Sequence, residues 1–230
     1  MHYWIVLEGG GTTTNGVLLS ENGDVVAHKR AGGSNPLFIP LEEAAERVRR
    51  IICDLAQMRD VQDIYCFIPG MSELSGVLEP RLPACNIRYE GDVMPALFAA
   101  FGDEPGIVVL AGTGSFACGR NTDGDVFTVG GYGPLFSDFG SGYDIGRRVL
   151  AKAVQIFDAG DETSLTRAVM NAFHIDTIAA LRRLQSNGEL FDRAHIAVLA
   201  RLAADCAEEG DADAQTILAE AAGELARLAV

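Results

Sequence analysis

The chain has 230 residues, of which 48% are hydrophobic and 22% are charged, and this composition is typical of a globular protein with a sizeable core. Its 32 acidic and 18 basic residues give a formal net charge of −14, which argues against a nucleic-acid partner because the phosphate backbone would be repelled. The sequence contains no apolar run long enough to span a bilayer, so it predicts no membrane partner.

The first hundred residues predict the order β-β-β-α-β, then short elements, then a final helix. The strands are predicted from short apolar runs, and the dipeptide Asn22-Gly23 is a strong hairpin signal between two of them. The helices are predicted from apolar residues that recur every three or four positions, and Asp92 stands at or near the start of the second helix. In chain order the predictions are strands over 3–7, 15–20 and 24–28, a helix over 41–58, a strand over 64–68 and a helix over 92–101.

The same order of elements begins again about a hundred residues later. Residues 107–111 predict a strand that leads into a Gly/Thr turn, Asp123-Gly124 is a second hairpin signal, residues 126–129 predict a returning strand, and residues 141–157 predict a helix. We interpret this repetition as an internal duplication at the level of domains.

A Gly/Asp/Glu/Pro-rich stretch at 102–106 predicts the boundary between the two halves. The sequence therefore predicts an N-terminal domain over 1–104 and a C-terminal domain over 105–230. Residues 165–230 carry helical patterns throughout, so the second domain lacks the later strands of the first and is expected to be truncated at its C-terminus.

Two turns rich in glycine and hydroxyl residues lie between paired strands of the two halves. They are Gly9-Gly10-Gly11-Thr12-Thr13 and Gly112-Thr113-Gly114-Ser115. Glycine leaves backbone N–H groups uncovered and hydroxyls add donors, so such turns can cradle phosphate oxygens. Either turn alone could be a plain tight hairpin, but the matched pair favours phosphate binding. The second turn also fits a dinucleotide fingerprint, which requires a following helix, whereas residues 118–125 indicate a strand and a hairpin.

Four stretches, in their order and spacing, carry a family resemblance. They are residues 7–12, Gly33-Ser34-Asn35-Pro36, residues 107–115 and the glycine-rich residues 130–146. Together they resemble the actin-like ATPase and sugar-kinase superfamily and, within it, the N-acetylglucosamine kinase branch of the BadF/BadG/BcrA/BcrD ATPase family. The resemblance implies an α/β fold of two ribonuclease-H-like domains around a cleft. It also implies an ATP-dependent kinase that phosphorylates the 6-hydroxyl of an amino sugar, N-acetylglucosamine or glucosamine.

The resemblance also implies roles for individual residues. Asp92 would be the catalytic base, and Glu8 would hold Mg²⁺ through water; from the residues alone, Asp92 could instead only cap a helix and Glu8 could be a solvated carboxylate at a strand end. An acidic chain would need that Mg²⁺ to offset the charge of ATP. The implied phosphate and ATP contacts are Gly10, Gly11, Thr12, Thr13, Gly112, Thr113, Gly114 and Ser115. The implied sugar contacts are Asn35, Asp92, Gly131, Tyr132 and Asp138.

Simpler interpretations stay open for two of the sugar contacts. Tyr132 could be half-buried packing, and Asn35-Pro36 could be an ordinary turn. The sequence also leaves open whether the chain forms a homodimer.

Two other functions remain open for the whole chain. Some members of the family are ATPases that drive electron transfer and carry cysteine-bound iron–sulfur clusters, for which Cys118 and Cys206 would be the ligands to propose. The five cysteines, which include Cys53, Cys66 and Cys85, form no C-x-x-C pair, so they predict reduced, buried thiols and a cytoplasmic protein. The third alternative is a degenerate, non-catalytic sugar-binding kinase homologue.

Overall fold

The computed structural model describes residues 2–78, 86–186 and 193–230, and Cys85 lies outside them. The chain forms two compact units that divide between Gly102 and Asp103, two residues before the boundary that the sequence predicts. The strands are β1 (Tyr3–Gly9), β2 (Thr13–Ser20), β3 (Val25–Gly32), β4 (Val61–Phe67), β5 (Asn86–Glu90), β6 (Gly106–Ala111), β7 (Ser115–Arg120) and β8 (Val126–Gly130). The helices are α1 (Leu41–Ala56), α2 (Met71–Leu78), α3 (Val93–Phe101), α4 (Gly142–Asp158), α5 (Ser164–Ala172), α6 (Leu181–Ser186), α7 (Arg193–Glu208) and α8 (Ala212–Leu228), with a 3₁₀ helix at Ile178–Ala180.

The first unit is built on a five-stranded sheet with the order β3-β2-β1-β4-β5. Strand β1 pairs antiparallel with β2 and parallel with β4, so it lies near the centre of the sheet. Its apolar run is explained by this position, since Ile5 and Leu7 are fully buried. The apolar stripe of α1, which includes Val48, Ile52 and Leu55, belongs to the same core.

The two hairpin signals in the sequence are confirmed. Gly23 and Gly124 adopt positive φ angles of 84° and 88°, which a residue with a side chain adopts only at a cost. The Gly23 N–H donates to the Ser20 carbonyl oxygen at 2.9 Å, and that of Gly124 donates to Asn121 at 3.2 Å. These turns join β2 to β3 and β7 to β8.

The described part of the second unit combines a three-stranded antiparallel sheet, β6-β7-β8, with a helical bundle. The first four elements, β6-β7-β8-α4, repeat the order β1-β2-β3-α1 of the first unit, so the predicted repetition is confirmed at the level of elements. The bundle core lies among α4, α5, α7 and α8 and includes Val149, Leu165, Leu199 and Ile217. A strand follows the second Gly/Thr turn, which excludes the strand–turn–helix context of a dinucleotide fingerprint.

The element boundaries differ from the prediction by a few residues. The prediction for α1 runs two residues past its end at Ala56, because the apolar spacing of the sequence continues beyond the helix. Strand β3 extends to Gly32 because it remains paired with β2. The short elements that the sequence left unassigned are α2 and β5. None of the helices in the described ranges is both long and apolar enough to cross a lipid bilayer.

Candidate functional site

The predicted site residues of the first unit lie at one edge of its sheet. Strands β1, β3, β4 and β5 run in the same direction, and the register aligns Glu8 with Phe67 and Phe67 with Glu90. The carboxyl ends of these strands therefore share one edge, which is where ligands bind in open α/β sheets. The segments that leave this edge are the turn at 10–13, the turn at 33–35 and the residues that lead to Asp92.

The first Gly/Thr turn offers unoccupied backbone donors. The Gly10 N–H donates to the Thr13 carbonyl oxygen at 2.9 Å, which closes the turn. In the part of the chain that the structure describes, the N–H groups of Gly11 and Thr12 have no hydrogen-bond partner. Two adjacent N–H groups and a threonine hydroxyl form the kind of concave donor set that binds phosphate oxygens.

The predicted phosphate turn and the predicted sugar turn form one packed piece. The Gly10 carbonyl oxygen accepts hydrogen bonds from the N–H groups of Ser34 and Asn35, at 2.9 and 3.1 Å. A Cβ atom on Gly33 would lie 2.2 Å from the Gly11 carbonyl oxygen, so only glycine allows this approach. Helix α1 supports the same piece, because Arg47 Nη1 donates to the Gly33 carbonyl oxygen at 2.5 Å.

Asn35 combines a structural hydrogen bond with a spare donor group. Its Oδ1 accepts a hydrogen bond from the Leu37 N–H at 2.9 Å, so the simpler interpretation of Asn35-Pro36 as a turn is confirmed. The Nδ2 group makes no hydrogen bond within the described residues, although Asn35 as a whole is buried. Asn35 can therefore hold the turn and donate to a hydroxyl at the same time.

Asp92 occupies the N-cap position of α3 without capping the helix through its side chain. Its φ and ψ angles of −71° and −8° are helical, and its carboxylate accepts no capping hydrogen bond. Burial raises the pKa of the Asp92 carboxyl, the hydrogen bond from its own backbone N–H opposes this, and the negative charge of Glu8 raises the pKa further. A carboxylate that is freed from capping and has a raised pKa is suited to general-base chemistry.

Glu8 lies at the end of β1 and is exposed to solvent. Its Oε2 accepts a weak hydrogen bond from Asn15 Nδ2 at 3.3 Å. No group of three or more His, Cys, Asp or Glu side chains could hold a metal ion among the residues that the structure describes. Mg²⁺ commonly uses one or two carboxylates together with substrate phosphates and water, so the exposed Glu8 carboxylate fits a metal that arrives with its phosphate ligands.

The second Gly/Thr turn is held by the start of α4. The Gly142 N–H donates to the Gly112 carbonyl oxygen at 2.8 Å, and the Tyr143 N–H donates to that of Thr113 at 3.3 Å. These bonds use the carbonyl groups of the turn and leave other backbone groups available. Within the described ranges, the N–H groups of Thr113 and Gly114 have no partner.

Ser115 lies behind this turn and is buried. Its N–H donates to Asp138 Oδ1 at 3.3 Å, and its hydroxyl donates to the Phe139 carbonyl oxygen at 2.9 Å. Both donor groups of Ser115 are therefore engaged within the protein. The geometry favours a supporting role for Ser115 and leaves Thr113 and Gly114 as the donors of the second turn.

The remaining predicted sugar contacts differ sharply in exposure. Tyr132 is 77% exposed, so the alternative of half-buried packing is wrong, and its ring is free to contact a ligand. The Gly131 N–H donates to the Ser115 carbonyl oxygen at 3.2 Å, which ties this segment to the second turn. Asp138 is 5% exposed and forms an ion pair with Arg193, with 2.7 Å between Oδ2 and Nη2.

Sequence reasoning missed the two arginines that support these turns. Arg47 lies 14 residues beyond Gly33, and Arg193 lies 55 residues beyond Asp138. Neither spacing corresponds to a local motif, so the sequence contained no signal for either contact.

Comparison with known proteins identifies the family to which the chain belongs. The model of the BadF/BadG/BcrA/BcrD ATPase family matches residues 7–230. The N-acetylmuramic acid/N-acetylglucosamine kinase of Clostridium acetobutylicum is 28% identical over 241 residues, which cover 98% of this chain and 77% of that protein. The N-acetyl-D-glucosamine kinase of Dictyostelium discoideum is 29% identical over 245 residues, which cover 96% of this chain and 76% of that protein.

A solved structure supports the same fold. The chain is similar to the candidate N-acetylglucosamine kinase of Chromobacterium violaceum, with a TM-score of 0.83 and 25% identity. The superposition covers all of this chain and 82% of that protein. The two proteins therefore share one fold over the whole of the chain.

Proposed function

Because the chain belongs to the BadF/BadG/BcrA/BcrD ATPase family, we propose that it is an ATP-dependent carbohydrate kinase. The reaction would transfer the terminal phosphoryl group of ATP to a sugar hydroxyl. Kinases of N-acetylglucosamine and related sugars are similar to it over almost its whole length.

One observation carries the proposal: a donor-rich glycine turn, an asparagine turn and an aspartate share one edge of a sheet. The turn at 10–13 offers the N–H groups of Gly11 and Thr12, the adjoining turn offers Asn35 Nδ2, and Asp92 supplies a carboxylate. A kinase needs these three functions: phosphate binding, acceptor binding and a base.

Asp92 would act as the general base. A sugar hydroxyl has a pKa far above 7, so a positioned carboxylate that accepts its proton during transfer accelerates the reaction by about 10² to 10⁴. The absence of a capping bond at Asp92 leaves its oxygens available for this contact. As the proton moves to Asp92, the sugar oxygen forms its bond to the γ-phosphorus and ADP leaves.

Backbone donors would hold the phosphates of ATP. Gly11 and Thr12 form the first donor set in the turn that Gly10 and Thr13 close, and Thr113 and Gly114 form the second, with Ser115 behind them. The family resemblance carries the further proposal that the two units are ribonuclease-H-like domains around a cleft and that both donor sets serve one ATP. Loss of affinity for ATP on substitution in either turn would support that proposal.

Mg²⁺ would accompany the nucleotide, with Glu8 holding it through water. The metal would supply neutralisation of the charge that develops on the phosphate oxygens. The Glu8 carboxylate is exposed at the edge of the sheet and lies close enough to Asp92 to raise the pKa of that residue.

We propose an amino sugar, N-acetylglucosamine or glucosamine, as the acceptor and its 6-hydroxyl as the attacking group. The names of the similar kinases support this class of substrate. Asn35 can donate to a sugar hydroxyl, and the exposed ring of Tyr132 next to Gly131 can pack on a sugar face.

The iron–sulfur ATPase is less well supported. Cys118 and Cys206 are buried thiols in a strand and a helix, and the described residues contain no cluster of cysteines. The uncapped carboxylate of Asp92 favours the kinase over the non-catalytic alternative.

Product analysis tests the proposal. The purified chain is incubated with Mg-ATP and, separately, N-acetylglucosamine, glucosamine and glucose, and the products are identified by ³¹P and ¹³C NMR. We expect ADP and an amino-sugar 6-phosphate in equal amounts. Hydrolysis of ATP that does not require sugar would support the ATPase, and sugar binding without product would support the non-catalytic homologue.

A further inference from the structure

We propose that Arg193 is a positioning residue for the second Gly/Thr turn and that it acts through Asp138 and Tyr143. This inference rests on the proposed function, because it assumes that the N–H groups of Thr113 and Gly114 bind the phosphates of ATP. It gives Asp138 a supporting role beside the sugar contact that the family resemblance implies.

The ion pair between Arg193 and Asp138 is close and largely buried. Arg193 Nη2 lies 2.7 Å from Asp138 Oδ2, and the side chains are 20% and 6% exposed. A buried carboxylate needs such a partner, because an unpaired charge in the interior is strongly unfavourable. Arg193 is the first residue of α7, so the pair connects the start of that helix to the glycine-rich segment 55 residues earlier.

The other side of the Asp138 carboxylate contacts the turn. Its Oδ1 accepts the hydrogen bond from the Ser115 N–H, and a Cβ atom on Gly114 would lie 2.9 Å from Oδ2. The carboxylate therefore occupies the space in which any other residue at position 114 would place its side chain. A displacement of Asp138 would change the positions of the Gly114 and Ser115 backbones.

The backbone of Asp138 also needs support. Its φ angle is +58°, a left-handed conformation that is uncommon for residues other than glycine. The Asp138 carbonyl oxygen accepts a hydrogen bond from the Ser141 N–H at 3.1 Å. The ion pair with Arg193 holds the Asp138 side chain in place and so helps to stabilise a backbone conformation that is unfavourable by itself.

Arg193 reaches the turn by a second route. Its guanidinium carbon lies 5.5 Å from the centre of the Tyr143 ring, a cation–π distance. The N–H of Tyr143 donates to the Thr113 carbonyl oxygen. One guanidinium therefore supports both ends of the turn, Ser115 through Asp138 and Thr113 through Tyr143.

Both oxygens of Asp138 are engaged by these contacts, and the residue is buried. Each carboxylate oxygen can accept a second hydrogen bond, so these contacts leave room for a sugar hydroxyl as well. The contacts give Asp138 a supporting role for the phosphate turn beside any contact with a ligand.

The test compares Arg193→Met, Arg193→Lys, Asp138→Asn and the double variant Arg193→Met/Asp138→Asn, with Arg201→Met as the control. Arg201 is an exposed arginine of the same helix. The double variant removes both charges, so it remains informative where a single variant with an unpaired charge does not fold. Affinity for a non-hydrolysable ATP analogue is measured by calorimetry, and KM is measured for ATP and for the sugar.

We expect Arg193→Met to raise the dissociation constant of the analogue and the KM for ATP by about 10- to 100-fold, with less than about a twofold change in the KM for sugar. Arg193→Lys should restore part of the affinity, and the double variant should resemble the worse single variant because the two residues act as a pair. An unchanged affinity for nucleotide in Arg193→Met, or a rise confined to the KM for sugar in Asp138→Asn, would overturn the inference while leaving the kinase assignment intact. A wild-type chain that binds no nucleotide would overturn both.

Discussion

At the scale of single residues, three carboxylates show how surroundings determine a role. Glu8 is exposed at a strand end, Asp92 is partly buried and unbound by its helix, and Asp138 is buried in an ion pair with Arg193. Asp92 combines an available oxygen with a raised pKa. This contrast is the reason to choose Asp92 as the base.

The charge of Glu8 provides a test of that choice. A base must be deprotonated, so kcat/KM should fall as the pH drops through the pKa of Asp92. Glu8→Gln removes a negative charge that raises this pKa, so the acidic limb of the pH profile should move to lower pH. The position of the limb reports the charge around Asp92, and a shift to lower pH is the direction expected for loss of the Glu8 charge.

The matched control for this profile is Glu21→Gln, which neutralises a glutamate on the hairpin of the same sheet, where it accepts a hydrogen bond from the His2 N–H. Its acidic limb should coincide with that of the wild type. A limb that stays in place or moves to higher pH in Glu8→Gln would show that the two carboxylates are not coupled as described.

At the scale of elements, the second unit depends on close contact between helices. Glycines at 142 and 146 let α4 approach α7, and a Cβ atom on Gly146 would lie 2.0 Å from the Ile196 carbonyl oxygen. Helix α4 in turn holds the second Gly/Thr turn through its first N–H groups. Packing between two helices thus controls the geometry of a predicted binding turn.

Two glycine substitutions separate packing from helix propensity. Gly146→Ala should destabilise the chain by about 1–3 kcal/mol, because the added methyl group forces α4 away from α7. Gly223→Ala, inside α8 with open space around its Cβ position, should stabilise it by about 0.5–1 kcal/mol. Denaturant unfolding measures both, and equal effects would contradict the close contact.

Asp211 joins two helices and makes their stability depend on pH. Its carboxylate accepts hydrogen bonds from the Ser164 hydroxyl and from the N–H groups of Leu165, Asp213 and Ala214. Burial acts to raise the pKa of the Asp211 carboxyl, but these hydrogen bonds outweigh burial and lower the pKa. Its stabilising effect is therefore present above the unfolded pKa of about 3.9 and is lost as the pH falls through the folded value.

We expect Asp211→Ala to lower the free energy of unfolding by about 0.5–2 kcal/mol at pH 7, with a difference that shrinks below about pH 4. The exposed Asp161→Ala serves as the control and should show no such change with pH. A difference for Asp211→Ala that is the same at pH 7 and pH 3 would contradict the proposed role of its charge.

The sequence predicted those elements whose signals are local. Asn22-Gly23 and Asp123-Gly124 require only neighbouring residues, and the helix over 41–58 follows from apolar spacing, so these were confirmed apart from a few residues at the ends. The elements α2 and β5 were not assigned because each is too short to show a clear period.

The same reasoning explains which site contacts were found. Glycine-rich turns can be recognised from their composition. The contacts of Arg193 with Asp138 and Tyr143 instead join segments that are distant in the sequence and come together only on folding. The burial of Asp138 and Ser115 and their mutual hydrogen bond could not be read from the sequence, and their ligand contacts stay predictions.

At the scale of the whole molecule, a strongly acidic chain is proposed to bind an anionic nucleotide. With a net charge of −14, long-range attraction cannot account for binding, so it must come from local donors and a metal ion. Among the residues that the structure describes, the repeated order of strands, turn and helix supplies one set of unpaired N–H groups in each unit.

The most direct measurement is the turnover of Asp92→Asn with Mg-ATP and an amino sugar, set beside calorimetric binding of that sugar. We predict that the wild type forms sugar phosphate and that the variant loses about 10² to 10⁴ in kcat, while its affinity for sugar changes by less than about tenfold. Full turnover by Asp92→Asn would contradict the account.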